Sequence, residues 1–340
     1  MNDYKREFLE NEFHKIVSTS QENLEVLRNS AILVTGGSGF IGSWLVDVLR
    51  VANSSMRLNC EIYTLSRHQR SDSFKILRAD NSINFIEGDI RDPGTLPNIP
   101  FNYVFHAATP STSSSGTNNP RNIYEITQIG MKNLLASFKR TNAQPRIINL
   151  SSGAAMKFDA LSHNEMSREN IESLGPSTAY ALSKRLNEIA LSEANKEGYL
   201  SAVNARIFAT YGPRLYLDEH FAIGNFMNNV LRGESIEVRG NVETVRSYLY
   251  INDLIGWLFS CLSAPSDSTQ QIGSLKPVTI SELAFKVAKL RPGTQVIFKP
   301  NQEPVSIYIP TNKLIGKGLD FHEQYNLDLG LKYWWEWLKA

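Results

Sequence analysis

Residues 31–35 read AILVT, five positions almost free of polar groups, and runs of that kind return through the first two thirds of the chain. EIYTL (61–65), INFIEG (83–88), NYVFHA (102–107), RIINL (146–150) and SAVNAR (201–206) are short, apolar and β-rich. Strands buried on both faces show little polar alternation, so these runs predict parallel strands inside a sheet. Helical stretches lie between several of them, at 42–52, 121–140 and 178–197. Strand and helix in alternation predict an α/β fold, a doubly wound parallel sheet covered on both faces.

Ahead of the first strand, Phe8, Leu9, Phe13, Ile16, Val17, Leu24, Val26 and Leu27 are set among many charges. That spacing predicts one or two helices and marks 1–28 as an N-terminal helical extension. After TYGPR (210–214) the texture changes: SIEVRG, SYLYI and QVIFKP scatter among helices near 221–233, 252–263 and 279–290. A smaller, mixed α/β lobe over 211–340 is the expectation, with segments near 245–263 returning to the larger domain. PSTSSSGTNNP (110–120), SDSTQQ (266–271) and RPGT (291–294) carry the composition of loops. The tryptophans of LDLGLKYWWEWLKA, at 334, 335 and 337, read as packing.

Charge narrows the partners. Thirty-five Lys and Arg against 34 Asp and Glu leave +1, which provides no general field to attract nucleic acid or an anionic membrane. Cys60 and Cys261 stand singly in apolar surroundings and read as small hydrophobes in a reducing compartment, and no metal-type cluster of Cys and His is present in the sequence. MNDYKREFLENEFHK has no apolar core and no run reaches membrane-spanning length, so a cytoplasmic protein is expected.

The candidate chemistry begins in VTGGSGFIGSWLV (34–46). Gly36, Gly39 and Gly42 follow the first strand directly and open the next helix. A phosphate needs that arrangement: backbone approach free of Cβ atoms, and helix N–H groups aimed at the anion. The spacing is G-x-x-G-x-x-G, so the G-x-G-x-x-G dinucleotide fingerprint is met only loosely. After the second strand come Ser66 and Arg67, with no Asp or Glu in place. A carboxylate there would repel a 2′-phosphate, whereas Arg67 can pair with one, which favours NADP(H) over NAD(H); the other reading of Arg67 is a solvated loop charge. Further along, STAYALSKRLNE puts Tyr180 and Lys184 one turn apart on a helix face, and INLSSGAAM puts Ser152 at the C-terminal end of a strand. A phenol beside an ammonium is drawn toward usable acid–base strength, and a serine hydroxyl there can hold a substrate oxygen against it.

Glycine run, Ser152, Tyr180 and Lys184, in that order, resemble the extended short-chain dehydrogenase/reductase superfamily and, within it, the NAD(P)-dependent nucleotide-sugar epimerase/dehydratase family. GDIRD (88–92), HAA (106–108), PSTAYALSK, ARIFATYGPR and VRSYLYINDL (245–254) carry the resemblance along nearly the whole chain after the extension. It implies a Rossmann domain over 29–210 that binds NAD(P), through Gly36, Gly39, Phe40, Ile41, Gly42, Ser66, Arg67, Asp89, Ile90, His106, Ala107, Ala108, Tyr180 and Lys184. It implies Ser152, Tyr180 and Lys184 as catalytic residues, with Tyr180 exchanging a hydroxyl proton while hydride moves at a sugar carbon. Ser152, Arg214, His220, Asn225 and Arg246 are the substrate candidates, Arg246 on the nucleotide diphosphate; His220 reads equally well as a polar loop residue. A homodimer through a four-helix interface of 121–140 and 178–197 is also implied.

Departures from the family pattern bear on the reaction. Similar 4,6-dehydratases carry Thr-Asp-Glu where this chain has Ser152-Gly153-Ala154, so elimination lacks its acid and base. Ala209 and Thr127 replace common Asn residues, and Met156-Lys157 replaces Tyr-Gly, which reshapes the sugar pocket and weakens the decarboxylase and epimerase assignments. Arg67 points to a net reductase, with NADPH reducing a nucleoside-diphosphate 4-keto-6-deoxy sugar at C4. A C4 epimerase holding NAD(P) tightly is the alternative, and a non-catalytic dinucleotide sensor the reading from outside enzymology.

Overall fold

The structure, a computed structural model, describes residues 2–67, 81–109, 119–158, 176–217, 221–299, 304–311, 319 and 321–340. Seven strands build the central sheet: β1 (Ala31–Thr35), β2 (Glu61–Ser66), β3 (Ile83–Glu87), β4 (Tyr103–His106), β5 (Arg146–Ser152), β6 (Ser201–Ile207) and β7 (Ser268–Ile272). All pair in parallel, in the order β7-β6-β5-β4-β1-β2-β3. The apolar runs form these strands because both faces are covered. Ile32 and Val34 pack into one core and Leu33 into the other. Strand order reverses between β1 and β4, and a ligand crevice opens at such a switch point, beyond the C-terminal strand ends.

β7 corrects the reading of SDSTQQ as a loop. STQQI is polar, yet Gln270 and Gln271 are buried in the edge strand beside β6. Gln271 satisfies its amide with Thr311, donating from Nε2 to Oγ1 at 3.3 Å and accepting from the Thr311 N–H at 2.6 Å. Polar side chains thus serve inside a sheet where a neighbouring segment completes their hydrogen bonds.

The residues before β1 form helices Asp3–Thr19 and Gln21–Glu25, and they are part of the main core. Phe13 meets Trp44 edge-on at 5.1 Å, joining the first helix to helix Phe40–Ser55. Helix Ile251–Ser260 packs on both, and its neighbourhood reaches the sheet where Phe259 meets Phe105 at 5.6 Å. In the smaller lobe, helices Ala222–Arg232 and Ile280–Ala288 pack together beside the parallel pair Ile236–Arg239 and Val296–Lys299. Val245–Arg246 pairs with both Val278–Thr279 and Ile307–Tyr308. The stretch expected as one helix at 121–140 is interrupted: Pro120–Tyr124 passes through a π-helical turn, Glu125–Ile129, into Gly130–Thr141. Among the described residues, no helix is long and apolar enough to cross a membrane.

Candidate active site

β1 delivers the chain to Gly36, whose φ of +74° lies in the left-handed region. A Cβ there would come within 2.7 Å of the Ala107 carbonyl oxygen, so the glycine is what lets the loop lie against the Ala107–Ala108 end of β4. Gly42 faces the Gly36 carbonyl so closely that a methyl group would strike it. Gly39 caps helix Phe40–Ser55 with no side-chain acceptor for the helix N–H groups. The first amides of an α-helix, here from Phe40, Ile41 and Gly42, have no intrahelical carbonyl to bond. A glycine-lined turn, a helix N-terminus and the switch point coincide.

At the end of β2, the Ser66 hydroxyl meets that of Ser38 in the glycine loop. Arg67 Nη1 lies 3.9 Å from Asp89 Oδ2, and Arg91 grips the same carboxylate at 2.7 and 3.1 Å. Burial pushes the Asp89 carboxyl up, but hydrogen bonds from Arg91 and the charges of Arg91 and Arg67 outweigh it and hold the group below the usual carboxylate range. Ile90 is buried, with its Cγ2 where a Cβ on Gly130 would fall. Arg67 is therefore the looser partner of an acidic group rather than a bare cation.

His106 closes β4. Its Nδ1 shares a hydrogen bond with Thr35 Oγ1 at 2.9 Å, and Nε2 is buried without a partner among the described residues. Burial, helped by the Lys184 charge, pushes the imidazole down to about 3, so His106 is neutral at ordinary pH.

β5 and helix Pro176–Lys196 bring Ser152, Tyr180 and Lys184 together. Lys184 Nζ donates to the Leu150 carbonyl at 2.5 Å and sits 5.7 Å from the centre of the Tyr180 ring. Ser152 hydrogen-bonds to Tyr180, and its Oγ accepts from the Ala154 N–H at 3.2 Å. Burial pushes Lys184 down to about 7, while the Glu188 charge opposes the shift. Burial, with Tyr308 nearby, pushes Tyr180 up to about 12 against the Ser152 hydrogen bond. The protein's own groups thus make Tyr180 a protonated donor at neutral pH; desolvation outweighs the expected pull of the ammonium.

Tyr308 is the site residue that sequence reasoning missed. Its hydroxyl is 3.3 Å from Ser152 Oγ and 3.4 Å from the Ile207 carbonyl, and its ring packs on Phe208 at 4.9 Å. It arrives on a two-residue strand 156 positions beyond Ser152, and only the pairing with Val245–Arg246 carries it there. No local pattern announces such a strand.

The substrate candidates divide. Arg246 lies beside this centre, its guanidinium 5.9 Å from the Tyr308 ring, with Nη1 donating to Val245 O and Ser306 O. Arg214 is instead engaged elsewhere: Nη1 pairs with Asp47 at 2.5 Å in a buried bridge, over the ring of Phe13. The structure commits that side chain to fastening the start of the lobe to helix Phe40–Ser55, because a buried arginine requires a counter-charge. Asn225 is exposed on helix Ala222–Arg232, and His220 lies outside the described residues. Cys60 and Cys261 are buried free thiols.

A doubly wound parallel sheet with a glycine-lined turn at its switch point defines the dinucleotide-binding α/β class. Within that class the chain belongs to the NAD dependent epimerase/dehydratase family, whose profile matches residues 32–273, and so to the extended short-chain dehydrogenase/reductase superfamily. It is an enzyme of that family. UDP-glucuronic acid decarboxylase 6 of Arabidopsis thaliana is 29% identical over 264 residues, covering 77% of this chain and 74% of the relative. An epimerase from Methanothermobacter thermautotrophicus superposes with a TM-score of 0.78 at 21% identity, covering 95% of this chain and 96% of that one. UDP-glucose 4-epimerase from Thermotoga maritima, solved with UDP-glucose, gives 0.76 at 22% identity, covering 91% and 98%. The nicotinamide dinucleotide in the family's name fits the residues present: a Cβ on Gly36 would strike the Ala107 carbonyl and one on Gly42 the Gly36 carbonyl, so glycine at both lets the turn close tightly before the helix N-terminus.

Proposed function

We propose that the protein reduces a nucleoside-diphosphate 4-keto-6-deoxy sugar at C4, with NADPH as the preferred reductant. The observation that carries this reading is the make-up of the reacting centre. Tyr180, a protonated phenol, is joined to Ser152 and flanked by Lys184. The next residues are Gly153 and Ala154, and a side chain on Gly153 would begin 2.6 Å from the Phe208 ring. This set of groups suits proton exchange on one substrate oxygen, and among the described residues Ser152, Gly153 and Ala154 offer no carboxylate pair for elimination at neighbouring carbons.

The hydride would come from a nicotinamide dinucleotide held at the glycine turn by residues that include Gly36, Gly39 and Gly42. Ser152 and Tyr180 hold the ketone oxygen, and Tyr180 delivers the proton that completes the alcohol. Lys184 gives its charge to the phenolate left behind, and Arg246, beside the aromatic pair Phe208–Tyr308, takes the diphosphate. Arg67 selects the 2′-phosphate.

A second reading, a C4 epimerase holding NAD, is favoured by one specific contact. Asp89 lies 3.9 Å from Arg67, and a carboxylate at that spot disfavours an added phosphate. The two separate in one assay. Purified protein is mixed with NADPH and a nucleoside-diphosphate 4-keto-6-deoxyglucose, and the reduced-cofactor absorbance is followed. Stoichiometric loss, reduced about 10²- to 10⁴-fold in Tyr180→Phe, supports the reductase. No loss, with NAD released from denatured protein, replaces it with the epimerase.

We assign a homodimer to the same reading. Tyr124, Ile129, Leu182, Leu186 and Ile189 are exposed on two helical segments that pack side by side. An apolar face shared by two helices is what a twofold partner would cover to make a four-helix interface.

A further inference from the structure

One turn beyond Lys184 on the same helix, Glu188 is 3% exposed. Its Oε1 accepts from Ser151 Oγ at 2.6 Å and Arg206 Nε at 2.9 Å. Oε2 accepts from Arg206 Nη2 at 2.7 Å and Arg185 Nη1 at 2.8 Å. Each partner lies at a meaningful place. Ser151 separates Leu150, whose carbonyl holds Lys184, from Ser152. Arg206 is the β6 residue in register with Ser151, and it precedes Ile207 and Phe208, which hold Tyr308. One carboxylate therefore ties together the helix carrying Tyr180 and Lys184 and the ends of both strands around them.

The geometry points to Glu188 as the positioning residue of the site, setting Ser152 against Tyr180 and holding Lys184 as the charged partner of that pair. A buried ion pair contributes little net stability compared with well-packed apolar side chains, so stability alone does not account for it. Its position does. The groups acting on Lys184 are Tyr180 and Glu188 on its own helix and His106 from β4, with the Leu150 carbonyl as acceptor. His106 is neutral and Tyr180 is a protonated phenol, so Glu188 is the negative charge in that set. Burial drives Lys184 to about 7, and the Glu188 charge acts in the opposite direction. Arg206 shares that carboxylate and tempers its field.

The inference rests on Tyr180 and Lys184 being the catalytic pair, but its test does not use turnover. The full-length protein is labelled with 13Cε-lysine, and the Lys184 resonance is assigned by its loss in Lys184→Met. Its titration midpoint is then followed by NMR. Glu188→Gln should lower the midpoint by about one pH unit, roughly a tenfold loss of the charged form. Arg206→Gln, which leaves Glu188 with Ser151 and Arg185, should raise it. Opposite displacements are a signature that loosened packing does not produce. If Glu188→Gln fails to fold, the sign in Arg206→Gln decides. A midpoint unmoved in a folded variant, or moved the same way in both, overturns the proposal. Intact displacements with no reductase or epimerase turnover would instead overturn the functional reading alone.

Discussion

His106 shows how burial decides the chemistry of a single residue. Its folded value of about 3 lies below the ordinary histidine range, so between those two values the unfolded chain binds the extra proton. Acidification through that window therefore favours unfolding. Stability contributed by the neutral ring is complete above about pH 6.5 and falls progressively below it, by at most about 3 kcal/mol at pH 4. Denaturant unfolding at pH 7 and pH 4 tests this: His106→Asn should lose distinctly less stability on acidification than the parent. An equal loss would show that carboxylates elsewhere dominate the acid response. Tyr180 and Lys184 were legible as residues because four positions along a helix make one face. Tyr308 and the Asp47 partner of Arg214 were not, because their contacts join segments 156 and 167 positions apart.

Elements were read well where the core demanded apolar side chains and poorly where something else stabilised them. β1 and β5 are nearly continuous hydrophobic runs and appear where the pattern put them. β7 escaped because its buried Gln271 is satisfied by Thr311, a contact that no window of sequence contains. The π-helical turn escaped as well; Gln128 within it reaches across to Ser183 O and Asn187, so its register answers to the neighbouring helix. The glycine loop gives a prediction at this scale. Gly42→Ala would place a methyl group on the Gly36 carbonyl, with Gly37 Cα only 3.0 Å away. The obstacle is backbone, so the turn itself must shift, and NAD(P) affinity should fall at least about tenfold, with about 1–3 kcal/mol of stability lost. Gly39→Ala meets only the Gly36 carbonyl oxygen, at 3.2 Å, and should be the milder of the two in a titration of cofactor fluorescence. The reverse ranking would contradict the proposed cradle.

For the whole molecule, the proposed dimer makes a direct prediction. Leu186→Glu and Ile189→Glu place charges on the exposed apolar face, at 36% and 47% exposure in the single chain, so neither disturbs its core. Sedimentation should show a dimer for the parent and a monomer for the double variant with unchanged secondary structure; a monomeric parent at tens of micromolar removes the interface. The N-terminal helices also take their meaning at this scale. They lie outside the matched family region, yet Phe13 packs on Trp44 and on Arg214, and Glu12 receives Asn252 and the Tyr325 hydroxyl. The extension is thereby a buttress under the glycine-loop helix and the entrance to the lobe.

By itself the amino-acid sequence determined the alternation of buried strands and helices, the tight glycine turn that opens the helix after β1, and the Tyr180–Lys184 face. Each of these follows from local spacing, through a period of two or of 3.6 residues or from the lack of a Cβ. Tertiary structure alone decided the rest. It engaged Arg214 with Asp47, tied Arg67 to Asp89, brought Tyr308 to Ser152, and placed Glu188 one turn from Lys184, bonded to Ser151. The physical reason is common to all four: a buried charge or hydroxyl must find a partner, and the partner is chosen by which segments the fold makes neighbours.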